Sequence, residues 1–180
     1  MTLLHCTAKL LKELGNPHLQ NPDTPNPEGL GNWYANLLRI DRRKCILFTN
    51  EKTLYSFLIA GVKKENLTNI FDEFLMNLNF NLQAEGFSLA VINRVMTEYT
   101  EMGFAKTSSK TVLGAMTQIT FEAEYLIYHR YEGMDGGKIL KVNKDINRSL
   151  MRGDRHLHPI EMLQELLTGV KVPRPSPMNL

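Results

Sequence analysis

Cysteine is scarce: Cys6 and Cys45 are the only two in the chain. Two thiols make no disulfide framework. Each sits in an apolar run that suits a reduced, buried side chain. An excess of charge of one sign is missing too. The 21 lysines and arginines stand against 19 carboxylates and leave a net charge of +2. That charge is too small to imply a polyanion partner by itself, and only a local cluster could make that case. No apolar run approaches the length that spans a bilayer. The opening M-T-L-L-H-C-T-A-K-L-L-K lacks the basic-then-apolar order of a leader. The expectation is a soluble, cytoplasmic protein with no membrane partner. Metal-ligand spacing is also lacking: there is no CxxC and no HExxH, and His156-x-His158 near Asp154 is the closest approach. Neither a metal nor a cofactor is expected.

What is present is the composition of an ordinary globular protein, 43% hydrophobic and 22% charged over 180 residues, enough for one proper core. The chain is organised around Trp33 to Val62, which reads as three consecutive strands joined by two polar turns. Asp41-Arg42-Arg43-Lys44 forms the first turn, with the Asp41 side chain placed to accept from the turn amides. Asn50-Glu51-Lys52 forms the second. Cys45-Ile46-Leu47-Phe48 is apolar on both faces, which predicts a central strand covered on both sides.

Before this block, Leu3 to Thr7 reads as a strand of the same sheet, and Ala8 to Leu14 as a short helix ended by Gly15. Residues 16–31 carry four prolines and form a loop, either mobile or a lid. After the block, apolar spacing predicts one long helix over Lys63 to Glu85, then helices over Leu89 to Met102, Thr111 to Tyr131 and Lys138 to Leu150, with a last one started by Pro159. Ser88 is placed to cap the second of these and Gly103 to end it. Phe104 to Thr107 is a candidate edge strand. The expected fold is α+β, an antiparallel sheet of about four strands packed against about five helices, as one domain over 1–169 with a flexible tail, 170–180.

The run W-Y-A-N-L-L-R-I-D-R-R-K-C-I-L-F-T-N-E-K-T-L-Y-S-F, preceded by L-H-C-T-A-K-L-L-K-E-L-G, resembles a family of small bacterial proteins known only as a domain of unknown function. The resemblance covers most of the chain, through F-A-K-T-S-S-K-T-V-L-G-A-M-T-Q, and implies no activity. The corresponding block in the family reads closer to R-S-V-L-G-S-M-N-D. Here Lys110, Thr117 and Gln118 stand in the arginine, asparagine and aspartate positions. Lysine has no forked donor set and glutamine no charge, so chemistry that needed that carboxylate is not expected of this chain.

Two constellations are candidate sites. Arg39, Arg42, Arg43 and Lys44 crowd the first turn, with Lys63 and Lys64 expected at the same end of the sheet and Lys52 at the other. Arginine pairs hold phosphate by forked contacts; the plainer reading is a solvated hairpin tip with Asp41 as internal partner. Trp33 and Tyr34 open the block and could stack on a base if exposed, although large aromatics at a strand start are more often core. The second constellation is Thr107-Ser108-Ser109-Lys110, where hydroxyls, a lysine and free helix amides suit an anion. Plain capping by Ser108 or Ser109 is the simpler account, and the P-loop pattern is absent. Neighbours on a strand face opposite ways, so a His5–Cys6 dyad is excluded and only a cross-strand pair such as His5 with Cys45 stays open. These residues predict a binding module for nucleic acid or a phosphate-bearing partner through the basic turn. Two alternatives stay open: an enzyme holding a phosphorylated or nucleotide-like ligand between the basic turn and Thr107–Lys110, and a protein-interaction module or homo-oligomer.

Overall fold

The structure is a computed structural model that describes residues 1–149 and 158–173. Leu150, Asp154, His156 and residues 174–180 of the expected tail lie outside the described residues. Strands β1 (Thr2–Cys6), β2 (Trp33–Ile40), β3 (Arg43–Asn50), β4 (Ser56–Ala60) and β5 (Met102–Lys106) form one sheet in the order β4-β3-β2-β1-β5. The β2–β3–β4 meander is antiparallel, as its turns dictate. However, β1 runs parallel to both β2 and β5. The sheet is therefore mixed and five-stranded, where a purely antiparallel one was expected. The reason is that β1 reaches β2, and β4 reaches β5, through helical crossovers that a strand count does not reveal.

The helices are α1 (Ala8–Glu13), α2 (Lys64–Thr68), α3 (Ile70–Ala84), α4 (Leu89–Thr97), α5 (Lys110–Tyr125), α6 (Lys138–Ile146) and α7 (Pro159–Thr168). A π-helical turn, Leu126–Arg130, extends α5. The helix expected over Lys63 to Glu85 is broken at Asn69, whose φ of −110° and ψ of 35° leave the helical region. Helix α4 stops at Thr97, so Gly103 ends no helix and lies within β5 instead. There a Cβ would come within 2.9 Å of the Gln20 side chain, a closeness only glycine permits.

Helices cover both faces of the sheet. On one face Trp33, Ile46, Phe48 and Phe57 pack with Leu10 of α1, Phe74 and Leu78 of α3, Val95 of α4 and Leu163 of α7. On the other, Tyr34, Cys45, Leu47 and Leu58 pack with Met116 and Ile119 of α5 and Val142 and Ile146 of α6. Leu47 and Phe48 are both at 0% exposure, as the two-faced apolar run of β3 predicts.

Both sheet edges are blunted. Beyond β5, Leu19 forms a parallel bridge to Phe104, and the Gln20 amide donates to the Phe104 carbonyl at 2.7 Å. Beyond β4, the Ser56 and Leu58 amides donate to the side chains of Asn147 and Asn143 at 2.7 and 2.8 Å. The same asparagines donate back to the Ser56 and Leu58 carbonyls at 2.6 and 3.1 Å. Two amides one helical turn apart thus stand in for a sixth strand.

The end of the 16–31 loop is tied to the body of the domain. The Glu98 carboxylate accepts from the Leu30 amide at 2.8 Å, and Asn50 donates to the Leu30 and Asn32 carbonyls at 2.9 and 3.2 Å. Among the described residues no helix is long and apolar enough to cross a membrane.

Candidate functional site

The direction of the strands decides what meets at the sheet ends. Strands β1, β2, β4 and β5 run one way and β3 the other. The first hairpin tip and the chain just after β4 therefore emerge at the same end, whereas β1 and β5 stop well short of it, with Cys6 and Lys106 level with Ala35. Exposed Arg39, Arg42, Arg43, Lys63 and Lys64 gather there. Lys63 and Lys64 are on the Arg42 side of the sheet, as a meander requires, and the Val62 amide ties that segment to the Lys44 carbonyl at 2.9 Å.

The tip is a two-residue turn, Asp41–Arg42, tighter than the four-residue turn expected. Both residues are left-handed, at φ 47° and 62°, as a hairpin whose twist matches its strands demands. The Asp41 carboxylate accepts no hydrogen bond among the described residues; its amide donates to the Tyr128 hydroxyl at 2.8 Å. Asp41, expected as the internal partner of the basic turn, acts on Arg43 only through its charge, and the close partners are two distant carboxylates. Arg43 makes a forked contact to Asp135 at 2.7 and 3.4 Å, and Lys44 reaches Glu13 at 2.8 Å. The hydrogen bond from Arg43 holds the Asp135 carboxyl below its ordinary value, and the one from Lys44 does the same for Glu13. Both pairs are exposed, so their contribution to stability is small. Their effect is to divide the cluster: Arg43 and Lys44 are engaged, while Arg39, Arg42, Lys63 and Lys64 form no ion pair among the described residues.

Trp33 and Tyr34 are at 0% exposure and present no face to a base. The Trp33 indole donates to the Tyr99 hydroxyl at 2.8 Å and packs edge-on to Phe57 and Phe74. Tyr34 stacks on buried His5 with ring centroids 4.7 Å apart, and its hydroxyl accepts from the Ser109 amide at 3.1 Å. Both aromatics are therefore core, because the strand start they occupy is covered by helices on each face.

Ser109 caps α5, accepting from the Val112 amide at 3.3 Å; Ser88 does the same for α4 from Val91. The Thr107–Lys110 segment and the basic turn do not face each other across a pocket. Ser109 starts α5, whereas Asp41 meets Tyr128 beyond its other end, about 30 Å of helix away. A cleft of about 320 Å³ lies at the edge of β4, lined by Gly61, Asn66, Asn77, Met134 and Ile139 among others, and Thr107–Lys110 is no part of it. The cross-strand His5–Cys45 dyad is absent as well: β2 separates the two strands. Both thiols are free and buried, and burial pushes both up from their ordinary values.

Exposed aromatics do exist, elsewhere than at Trp33 and Tyr34. Phe121, Tyr125 and Tyr128 are 68%, 62% and 50% exposed. The periodicity that buries Val112, Met116, Ile119, Ala123 and Ile127 leaves these three on the opposite side of α5 and its π-turn. That signal was available in the sequence, in the residues left over once the inward face is assigned.

Residues 3–162 match a protein family described as Domain of unknown function (DUF6933). No curated protein matches the chain.

Proposed function

The chain belongs to that family of unknown function, and on the geometry we propose that it is a non-enzymatic binding module recognising nucleic acid or another phosphate-bearing partner through its basic hairpin end. The observation that carries this reading is the convergence of like-directed strands, which brings exposed Arg39, Arg42, Lys63 and Lys64, in no ion pair among the described residues, to one end of the sheet. Cations outside any close ion pair gain most from a polyanion, since contact releases its condensed counterions; of the four, Arg39 also feels the Glu13 carboxylate that Lys44 holds. Arg43 and Lys44, held by Asp135 and Glu13, frame the tip. Two reduced, buried thiols suit a reducing compartment, and we place the protein in the cytoplasm.

Fluorescence anisotropy with a labelled oligonucleotide tests the reading. Binding should weaken steeply between low and moderate salt. The double substitution Arg39→Ala, Arg42→Ala should reduce the slope of log affinity on log salt by about 0.7–0.9 for each phosphate no longer neutralised. No detectable binding at low salt would defeat the proposal.

A further inference from the structure

We propose that the outward face of α5 and its π-turn is a stacking platform for single-stranded nucleic acid, laid between Lys110 and the Arg42 tip. This rests on the basic-hairpin reading and adds to it the kind of strand bound and the surface that reads it.

The face is continuous. Lys110, Gly114, Thr117, Phe121, Tyr125 and Tyr128 are all exposed and share one side, while the buried residues of α5 fill the opposite side. The π-helical turn carries the stripe on to the hairpin, where the Tyr128 hydroxyl accepts the Asp41 amide at 2.8 Å. Arg42 follows directly. The basic turn and the start of α5, which share no pocket, are thus the two ends of one strip. Three exposed rings on a single helix form more exposed apolar surface than isolated residues would.

Spacing and charge select the occupant. Phe121 and Tyr125, four apart, are separated by about 6 Å along the helix axis, and Tyr125 and Tyr128, three apart, by about 4.5 Å, against about 3.4 Å between bases along a duplex strand. Bases that reach successive rings must be drawn apart, which a single strand permits and a duplex does not. Stacking on such rings tolerates any base. The neighbouring carboxylates are partly engaged: Glu122 by Ser149, Asp135 by Arg43, and Asp41, next to Arg42, through its electrostatic attraction to the same Arg43. Glu124 flanks the middle of the stripe, so phosphates are directed to its ends, at Lys110 and Arg42. A second copy fits less well, because antiparallel self-pairing would set Lys110 of one protomer against the Arg42 end of the other.

The test compares a labelled single strand with its duplex in anisotropy titrations of the full chain. The single strand should bind more tightly. Phe121→Ala and Tyr125→Ala should each weaken single-strand binding roughly fivefold to a hundredfold with an unchanged salt slope, whereas the Arg39→Ala, Arg42→Ala double variant changes the slope. Phe121→Trp should retain affinity and show fluorescence quenched by the strand. Circular dichroism of each variant checks that it is folded.

Equal binding of strand and duplex overturns the proposal. So do alanine variants that bind like the parent while the arginine variant fails; that result leaves the basic-hairpin reading standing. Failure of the parent protein to bind any oligonucleotide removes both. A dimer that Phe121→Ala converts to monomer in light scattering would assign the stripe to a second copy instead.

Discussion

Asp41 shows how one backbone angle can replace an expected side-chain bond. At φ 47° it lies in the left-handed region, where a Cβ crowds the following carbonyl and costs roughly 1–2 kcal/mol, and where aspartate is tolerated better than most residues. Substitution separates the two accounts. If conformation governs the turn, Asp41→Ala should lose about 1 kcal/mol in urea unfolding and Asp41→Gly should be neutral or slightly stabilising. If the carboxylate held the turn, both variants would lose stability alike. Arg42, also left-handed at φ 62°, is held with its side chain outward at the tip by the same geometry. The turn conformation thus decides which arginine is offered to a partner.

Among the elements, β4 and β5 face the problem common to every sheet edge, unpaired amides and carbonyls that invite another chain. On β5 the chain just after α1 supplies the bridge at Leu19. On β4 the answer is Asn143 and Asn147 of α6 and its C-terminal end, buried at 1% and 0% exposure. Each returns both hydrogen bonds that a neighbouring strand would have made. Replacing either asparagine by alanine leaves a buried amide and carbonyl without partners, a loss of about 1–3 kcal/mol for each unsatisfied group. The double variant Asn143→Ala, Asn147→Ala should therefore unfold at clearly lower urea and, with the β4 edge opened, form larger species in light scattering. A double variant as stable and monodisperse as the parent would show that the asparagines are not what closes this edge.

At the scale of the whole molecule, two apolar clusters press on a single sheet from opposite sides. Phe48 belongs to one, its ring 5.1 Å from Phe57 and 5.3 Å from Phe74. Leu47 belongs to the other, beside Met116 and Ile119. Since both side chains are fully buried, Leu47→Ala and Phe48→Ala should each destabilise by about 2–5 kcal/mol, from reduced transfer energy plus the cavity left behind. Paired denaturation curves check this. One large loss and one near zero would mean that one face of β3 is open. Two covered faces also confine recognition to the sheet ends and the outer surfaces of the helices, which is where the basic tip and the α5 stripe lie.

The sequence by itself determined the α+β class, the meander, the centrality of β3 and the placement of Lys63 and Lys64 beside Arg42. These follow from local patterns: alternation of apolar residues, turn chemistry, and the alternating directions of strands joined by short turns. The family resemblance was legible in the same stretch, because a long motif is a property of order alone. Tertiary structure decided the rest. The parallel pairing of β1, the burial of Trp33 and Tyr34, and the partners of Arg43 and Lys44 depend on contacts between residues far apart in the chain, such as Arg43 with Asp135 and Tyr34 with Ser109. No periodicity records these contacts. A side chain's exposure and an ion's partner are set by which surfaces close over them, and that closure is a sum over many weak long-range interactions.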